Sequence, residues 1–261
     1  MNMELKTSNP AFAGKTFEGT ATHVGYGGYS PAYGSTMTIS GTVNKAGILM
    51  LCVLATAVWT WNQYFTTGNP ASVGGFIMLG AFGGFIVAMV TIYKKEWSPV
   101  TAPIYALLEG LFLGALSATF EMRYPGIAIQ SVALTFGTCF AMLLAYRSGL
   151  IRPTAKFTMG IVAATGGIAL LYIASMILGL FHVQIPGIFG AGPIGILFSV
   201  AVVIIAALNL ILDFGMIEEG ARNGLPKYME WYGAFGLMVT LVWLYLEIIR
   251  LLSKLRGGDR R

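Results

Sequence analysis

The hydrophobic pattern of the chain consists of seven long apolar segments that follow a polar N-terminal stretch. Each segment is close to the roughly 20 residues that an α-helix needs to cross a hydrocarbon core about 30 Å thick. The pattern therefore predicts an all-α, polytopic membrane protein with seven transmembrane helices. The predicted segments are 46–65, 74–93, 100–120, 128–146, 157–181, 194–214 and 231–252.

The polar stretches at the two ends divide the chain into three regions. Residues 1–44 are rich in Gly, Ser, Thr and Tyr and lack apolar periodicity, which is typical of a flexible polar tail. Residues 45–253 contain all seven apolar segments and form the predicted membrane domain. Residues 254–261 carry four Lys and Arg and form a basic C-terminal tail.

The basic residues of the loops indicate how the chain is oriented. With the N-terminus in the cytoplasm, ten Lys and Arg lie in inner segments and only Arg123 lies in an outer loop. This distribution follows the positive-inside rule. The basic C-terminal tail conflicts with it, because seven spans place that tail outside. Two alternatives remain open: seven spans with an exceptional tail, which the early loops favour, or six spans with a re-entrant last segment. The ten inner residues are Lys6, Lys15, Lys45, Lys94, Lys95, Arg147, Arg152, Lys156, Arg222 and Lys227.

Composition excludes several classes of function. Only 10% of the residues are charged and 56% are hydrophobic, whereas a soluble domain has about 25% charged residues. The net charge of +5 is explained by the inner loops, so we predict no nucleic-acid partner. The chain has two cysteines, both inside apolar segments, and two histidines, which are too few for a usual zinc site. No Ser–His pair lies at membrane depth, so we predict neither a cofactor nor enzymatic activity.

Three carboxylates lie inside apolar segments: Glu109 in the third, Asp213 late in the sixth and Glu247 in the seventh. An ionised side chain at bilayer depth costs at least about 2.5–3.5 kcal/mol, so such residues usually face a protein interior and have a function. Asp213 shares a helical face with Asn209, and Glu247 shares one with Thr240. We therefore predict that the last two segments enclose a polar interior, with Asn209 and Thr240 lining a pathway.

Each acid also has a purely structural interpretation. Asp213 would cap the inner end of its helix near water. Glu247 would pair with Arg250 or Lys254, which follow it in the chain. Glu109, roughly 14 Å into its span, would be a protonated acid hydrogen-bonded within the bundle. The carboxylates between the last two segments, Glu218, Glu219 and Glu230, are predicted to be solvated.

A functional interpretation follows if two of the acids meet. Two carboxylates in one dry site do not both ionise readily, so the pair titrates as a unit. Protonation would then change the packing of the two helices, and the ionised pair would bind calcium through its oxygens. Applied to Asp213 and Glu247, this predicts a pH-gated cation path with both acids as calcium ligands.

A resemblance to a known family rests on three motifs, NLILDFGMIEEG, LVWLYLEIIRLL and PIYALLEGLFLGALS. They resemble the bacterial branch of the transmembrane Bax inhibitor motif family over residues 46–252. The resemblance implies a multi-pass protein of the bacterial inner membrane with a central last helix surrounded by the other six. It also implies a pH-sensitive calcium leak gated by a latch of two acids, which match Asp213 and Glu247. Bacterial relatives are also associated with modulation of a membrane-embedded ATP-dependent protease, which is the alternative function.

The chain departs from the family pattern in three respects. The second latch acid is Glu247 where the family usually has Asp. The segment 74–93 lacks the basic residue expected as a partner of the latch. In straight antiparallel helices, Asp213 and Glu247 would differ in depth by roughly 15 Å. Tilt or a break near Gly233 or Gly236 would remove this mismatch; otherwise Glu109 is the better partner for one of the two acids.

Overall fold

The protein is almost entirely helical. The computed structural model describes residues 36–68, 71–181 and 187–258. Of these described residues 87% are helical and none forms a strand. Seven helical stretches are long and apolar enough to cross a membrane: Ile39–Thr67, Ser72–Tyr93, Lys95–Arg123, Ile127–Arg147, Ala155–Leu180, Pro193–Arg222 and Met229–Gly257. The predicted all-α, seven-span fold class is confirmed, and the protein is a multi-pass membrane protein.

The helices are numbered in chain order. Helix α1 is Ile39–Thr67, and the second span combines α2 (Ala71–Met78), a π-helical segment (Leu79–Gly83) and α3 (Gly84–Tyr93). The remaining helices are α4 (Ser98–Arg123), α5 (Ile127–Arg147), α6 (Ala155–Leu180), α7 (Pro193–Arg222) and α8 (Met229–Gly258).

Several helices extend beyond the apolar segments that predict them. Helix α1 begins at Ile39, inside the predicted tail, because Thr38 caps it by accepting a hydrogen bond from the Gly41 amide at 3.0 Å. Helix α8 continues past the apolar segment to Gly258, since Lys254, Leu255 and Arg256 are good helix formers. The rest of the predicted flexible tail, residues 1–35, lies outside the described residues.

The chain divides into two compact units, although the sequence predicts a single membrane domain. The unit that we call the N-terminal unit contains described residues of Pro10–Thr119 together with Asp213–Val239. The C-terminal unit contains described residues of Phe120–Leu212 together with residues 240–258. Of the seven spans, the last is the most buried, with 61% of its apolar window inside the structure. This burial agrees with the prediction that the last helix is the central one.

In the N-terminal unit, glycines allow helix backbones to touch. A Cβ at Gly114 of α4 would overlap the backbone of Ala57 in α1, and one at Gly110 would overlap the Val53 carbonyl and the Thr56 side chain. Thr56 Oγ1 also donates a hydrogen bond to a carbonyl of α4, that of Leu107, at 2.9 Å. Small residues are the usual means by which helices approach closely in a membrane. The glycine spacing therefore serves α1–α4 packing.

Replacing Gly114 with alanine is expected to destabilise the protein by about 1–3 kcal/mol, because the new methyl group must push α1 away from α4. Gly137→Ala is the matched control, since its Cβ would meet no atom within 4 Å. The control gains helix propensity of up to about 1 kcal/mol. Thermal unfolding in detergent compares the two, and equal midpoints would contradict the close α1–α4 contact.

Candidate functional site

A buried ion pair lies on α8 in the C-terminal unit. The Glu247 side chain is only 2% exposed, and its Oε1 accepts a hydrogen bond from Arg250 Nη1 at 2.6 Å. The hydroxyl of Tyr172 on α6 donates to the same oxygen at 2.9 Å. Arg250 Nη1 also donates to the Tyr172 hydroxyl at 2.9 Å. Three polar groups thus form a closed triangle that joins α6 to α8, and we call it the α6–α8 clasp.

The clasp is packed against aromatic rings on one side, and its Arg250 side chain is partly exposed. The Tyr172 ring lies 5.9 Å from Phe189 and 6.4 Å from Phe198, measured between ring centroids. The Arg250 guanidinium lies 5.4 Å from the centroid of the Tyr172 ring, and its side chain is 40% exposed. Among the described residues, no group donates a hydrogen bond to Glu247 Oε2. One carboxylate oxygen is therefore fully engaged, whereas the other has no protein donor within the described chain.

Lys254 lies two turns beyond Glu247 and is buried, although the sequence places it in a basic tail. Its ammonium group donates to three oxygens: Ser199 Oγ at 2.8 Å, the Gly195 carbonyl at 3.0 Å and the Ile188 carbonyl at 3.3 Å. The assignment to a tail is wrong for this residue because α8 continues past it. Lys254 therefore joins the end of α8 to the start of α7.

The predicted pathway residues Asn209 and Thr240 are both buried in the C-terminal unit. Asn209 of α7 donates to Thr165 of α6 at 2.9 Å and to the Ile205 carbonyl at 2.8 Å. Together with the clasp and Lys254, this contact completes a set of polar links between α6 and α7, α6 and α8, and α7 and α8. Separate side-chain hydrogen bonds therefore join each pair of these three helices. A pathway lined by Asn209 and Thr240 remains a prediction.

Asp213 is completely buried in α7 and belongs to the N-terminal unit. It lies about two and a half turns before Arg222, where α7 ends, so it does not cap the end of the helix. Glu247 belongs to the C-terminal unit. The latch between these two acids remains a prediction.

Glu109 lies in α4 of the N-terminal unit and is partly buried. It is hydrogen-bonded to the side chain of Tyr105, one turn earlier on the same helix. Gly84, where the π-helical segment gives way to α3, lies against its carboxylate, and a Cβ there would be 3.0 Å from Oε1. Glu109 thus has the internal partner that its structural interpretation requires, next to a π-helical segment, a feature frequent at functional sites.

The prediction that Glu230 is solvated is wrong. This acid is fully buried at the start of α8, where Oε1 accepts hydrogen bonds from the Thr38 amide at 3.0 Å and the Thr38 hydroxyl at 2.7 Å. Lys227 adds an ion pair at 2.8 Å. Because Thr38 caps α1, Glu230 lies at the positive end of that helix dipole. A Cβ at Gly41 would overlap its carboxylate, so the absence of a side chain there makes room for the acid.

One residue of the site is missed by reasoning from the sequence. Tyr172 is missed because it lies in the apolar segment 157–181, which has no charge to mark it. Lys254 is expected from the sequence as an alternative partner of Glu247, since it is seven residues later on the same helical face, but its ammonium group binds oxygens of α7 and of the loop before it instead.

Metal binding by Asp213 and Glu247 remains a prediction. Across residues 36–68, 71–181 and 187–258, no three His, Cys, Asp or Glu side chains form a group able to hold a metal ion. His23 and His182 lie outside the described residues.

Comparison with known proteins gives one family description. Residues 9–257 match the protein-family model described as Bax inhibitor 1 like. No curated protein and no solved structure matches the chain.

Proposed function

The chain belongs to the Bax inhibitor 1 like family, and on that premise we propose that it is a pH-sensitive leak for calcium or another cation in a bacterial inner membrane. The observation that carries the proposal is the α6–α8 clasp of Tyr172, Glu247 and Arg250. A buried carboxylate that holds two helices together through charge-assisted hydrogen bonds is a group whose protonation changes helix packing.

The sign of the pH dependence follows from the clasp. Ionised Glu247 attracts the Arg250 guanidinium and accepts a hydrogen bond from the Tyr172 hydroxyl. Protonation removes the charge, and a neutral hydrogen bond is roughly half as strong as a charge-assisted one. Acidification therefore weakens the link between α6 and α8 and favours the open state. The second oxygen of Glu247 is the atom at which a proton or a cation arrives.

The other acids complete the proposed pathway. Asp213 is the second member of the latch, and in the ionised state it and Glu247 offer the oxygen ligands that calcium prefers. Glu109 lines the path beside the π-helical segment. Arg250 supplies the cationic partner that the second span lacks.

The proposed orientation follows the charges of the loops. Ten basic residues against one place the N-terminus in the cytoplasm. Seven spanning helices then place the C-terminal end of α8, with Lys254 and Arg256, on the opposite side.

The proposal is tested by measuring calcium efflux from proteoliposomes over a series of pH values. Asp213→Asn removes one titrating group of the pair, so the midpoint of the pH profile is expected to move by at least about one pH unit. Glu218→Gln changes a half-exposed carboxylate of the same helix, which pairs with Arg222, and is expected to leave the profile unchanged. An unaltered profile in folded Asp213→Asn protein would falsify the latch.

A second candidate function, modulation of a membrane-embedded ATP-dependent protease, is favoured by one observation. The chain entering α1 is tied to the α7–α8 loop through the Met37 amide, which donates to the Leu225 carbonyl at 2.6 Å, and through Thr38 and Glu230. The residues that lead from the N-terminal tail into α1 therefore lie against this loop. A protein partner that binds there would contact both.

Deleting residues 1–35 separates the two functions. If the tail binds the protease, the shortened protein loses capture of the purified protease but retains pH-dependent calcium efflux. If the shortened protein still captures the protease, the tail does not bind it. If the shortened protein folds but no longer releases calcium, the leak does not reside in the helices alone.

A further inference from the structure

A cavity of about 430 Å³ lies at the end of the C-terminal unit where α4 and α8 finish. Its size falls within the roughly 300–1,000 Å³ typical of ligand sites. Three parts of the chain contribute to its wall: the end of α4, the loop before α7 and the last turns of α8. The lining residues are Phe120, Arg123, Tyr124, Phe189, Ala191, Ser253, Lys254 and Gly257.

The cavity wall carries two positive charges and no acid. Neither Arg123 nor Lys254 has a carboxylate within salt-bridge distance among the described residues. Lys254 is only 7% exposed, and its hydrogen bonds go to neutral oxygens. A buried charge without an opposite charge is costly, so an anion in the cavity stabilises this ammonium group.

The neighbouring charged groups are already engaged elsewhere. Glu121 accepts hydrogen bonds from the Gly126 and Ala128 amides at the start of α5. Arg250 is paired with Glu247. Arg256 donates to carbonyls of the turn after α4 and to the Gln130 side chain. The described groups around the cavity thus comprise four basic residues and two acids, so their net charge is positive, and neither acid forms an ion pair with Arg123 or Lys254.

Arg123 is the group that is available to an anion. Its guanidinium lies 5.7 Å from the centroid of the Tyr124 ring, and within the described part of the chain it donates to no protein acceptor. A guanidinium presents a planar fork of N–H donors that matches the oxygens of a phosphate. The Lys254 ammonium group already donates three hydrogen bonds, so Lys254 contributes its positive charge and not a further donor.

Apart from Ser253, the rest of the wall is mostly aromatic or apolar, which indicates an anion that carries a hydrocarbon body. Phe120, Tyr124 and Phe189 provide aromatic surface. The charged residues lie at the end of α4 and in the last turns of α8, the depth at which spanning helices meet lipid headgroups. Basic pockets between transmembrane helices bind anionic headgroups. We propose that this cavity binds the phosphate group of an anionic phospholipid, with Arg123 as its direct ligand and Lys254 as its fixed counter-charge.

The test uses the full chain in detergent and measures its thermal unfolding midpoint during titration with short-chain phosphatidylglycerol. Phosphatidylcholine of the same chain length is the lipid control, and inorganic phosphate tests for a free anion. Phosphatidylglycerol is expected to raise the midpoint by about 3 °C at ten times its dissociation constant, and the other two compounds are expected to raise it less.

Arg123→Gln is expected to weaken binding of phosphatidylglycerol about tenfold, because one charge-assisted contact is lost. Arg147→Gln removes an equally exposed arginine at the end of α5 and is expected to bind as the wild type does. The proposed site is overturned if phosphatidylcholine stabilises the protein as much as phosphatidylglycerol does. It is also overturned if Arg123→Gln binds phosphatidylglycerol as tightly as the wild type. Equal stabilisation by inorganic phosphate overturns the assignment to a lipid.

Discussion

Replacing Arg250 with glutamine is expected to lower the free energy of unfolding by about 2 kcal/mol. Removing one member of a buried ion pair costs about 3–5 kcal/mol, because the remaining charge is left without compensation. The expected value is smaller here because the Arg250 side chain is 40% exposed, so the pair is only partly buried. For a chain of this size the loss corresponds to roughly 4–8 °C in the midpoint of thermal unfolding in detergent.

Arg222→Gln is the matched control for this experiment. Arg222 also pairs with a glutamate of its own helix, Glu218, but the two side chains are 73% and 41% exposed. Such surface pairs contribute about 0–1 kcal/mol. The double variant Arg250→Gln/Glu247→Gln is expected to recover part of the lost stability, since it leaves no buried charge. Equal losses at Arg250 and Arg222 would show that the clasp does not stabilise the fold.

Replacing Glu247 with glutamine is expected to raise calcium efflux at neutral pH to the level that the wild type reaches only at acidic pH. Glutamine has the shape of protonated glutamic acid and still accepts hydrogen bonds from Tyr172 and Arg250, but it lacks the charge. Weakening the closed state by about 1.4 kcal/mol changes the ratio of open to closed protein tenfold. An increase of about tenfold at neutral pH, with a flattened pH profile, is therefore expected in proteoliposomes.

Two comparisons make this result specific. Glu218→Gln removes an exposed carboxylate and is expected to keep the wild-type profile. Tyr172→Phe removes the hydroxyl that reaches Glu247 from α6, so it is expected to raise efflux at neutral pH while some pH dependence remains. If Glu247→Gln retains the wild-type pH profile, protonation of Glu247 is not the switch.

The parts of this structure that could be predicted from the sequence are those governed by local pattern. Seven apolar segments of sufficient length predict seven helices, since the bilayer sets the length of a span. The spacing along the helix predicts an ion pair of Glu247 with Arg250 or Lys254, and of these two the structure pairs it with Arg250, three residues later. Asn209 was expected to face the protein interior, and it does.

The parts that could not be predicted depend on how separate helices pack. Tyr172 becomes part of the site only because α6 lies against α8, and a tyrosine in an apolar segment does not indicate which helix it faces. The charged sequence around Glu230 predicts a solvated side chain, yet the start of α1, 192 residues earlier, covers it. Lys254 follows an apolar segment whose end does not mark the end of the helix.

In the proposed mechanism Asp213 and Glu247 act as one gate, and a double-variant cycle of calcium efflux against pH is the decisive measurement. The four proteins are the wild type, Asp213→Asn, Glu247→Gln and the variant with both changes. If the two acids form one titrating unit, the double variant has the same flat profile as Glu247→Gln alone, and the effects are not additive. If the effects of the two substitutions simply add, the acids act independently and the account of a shared gate is contradicted.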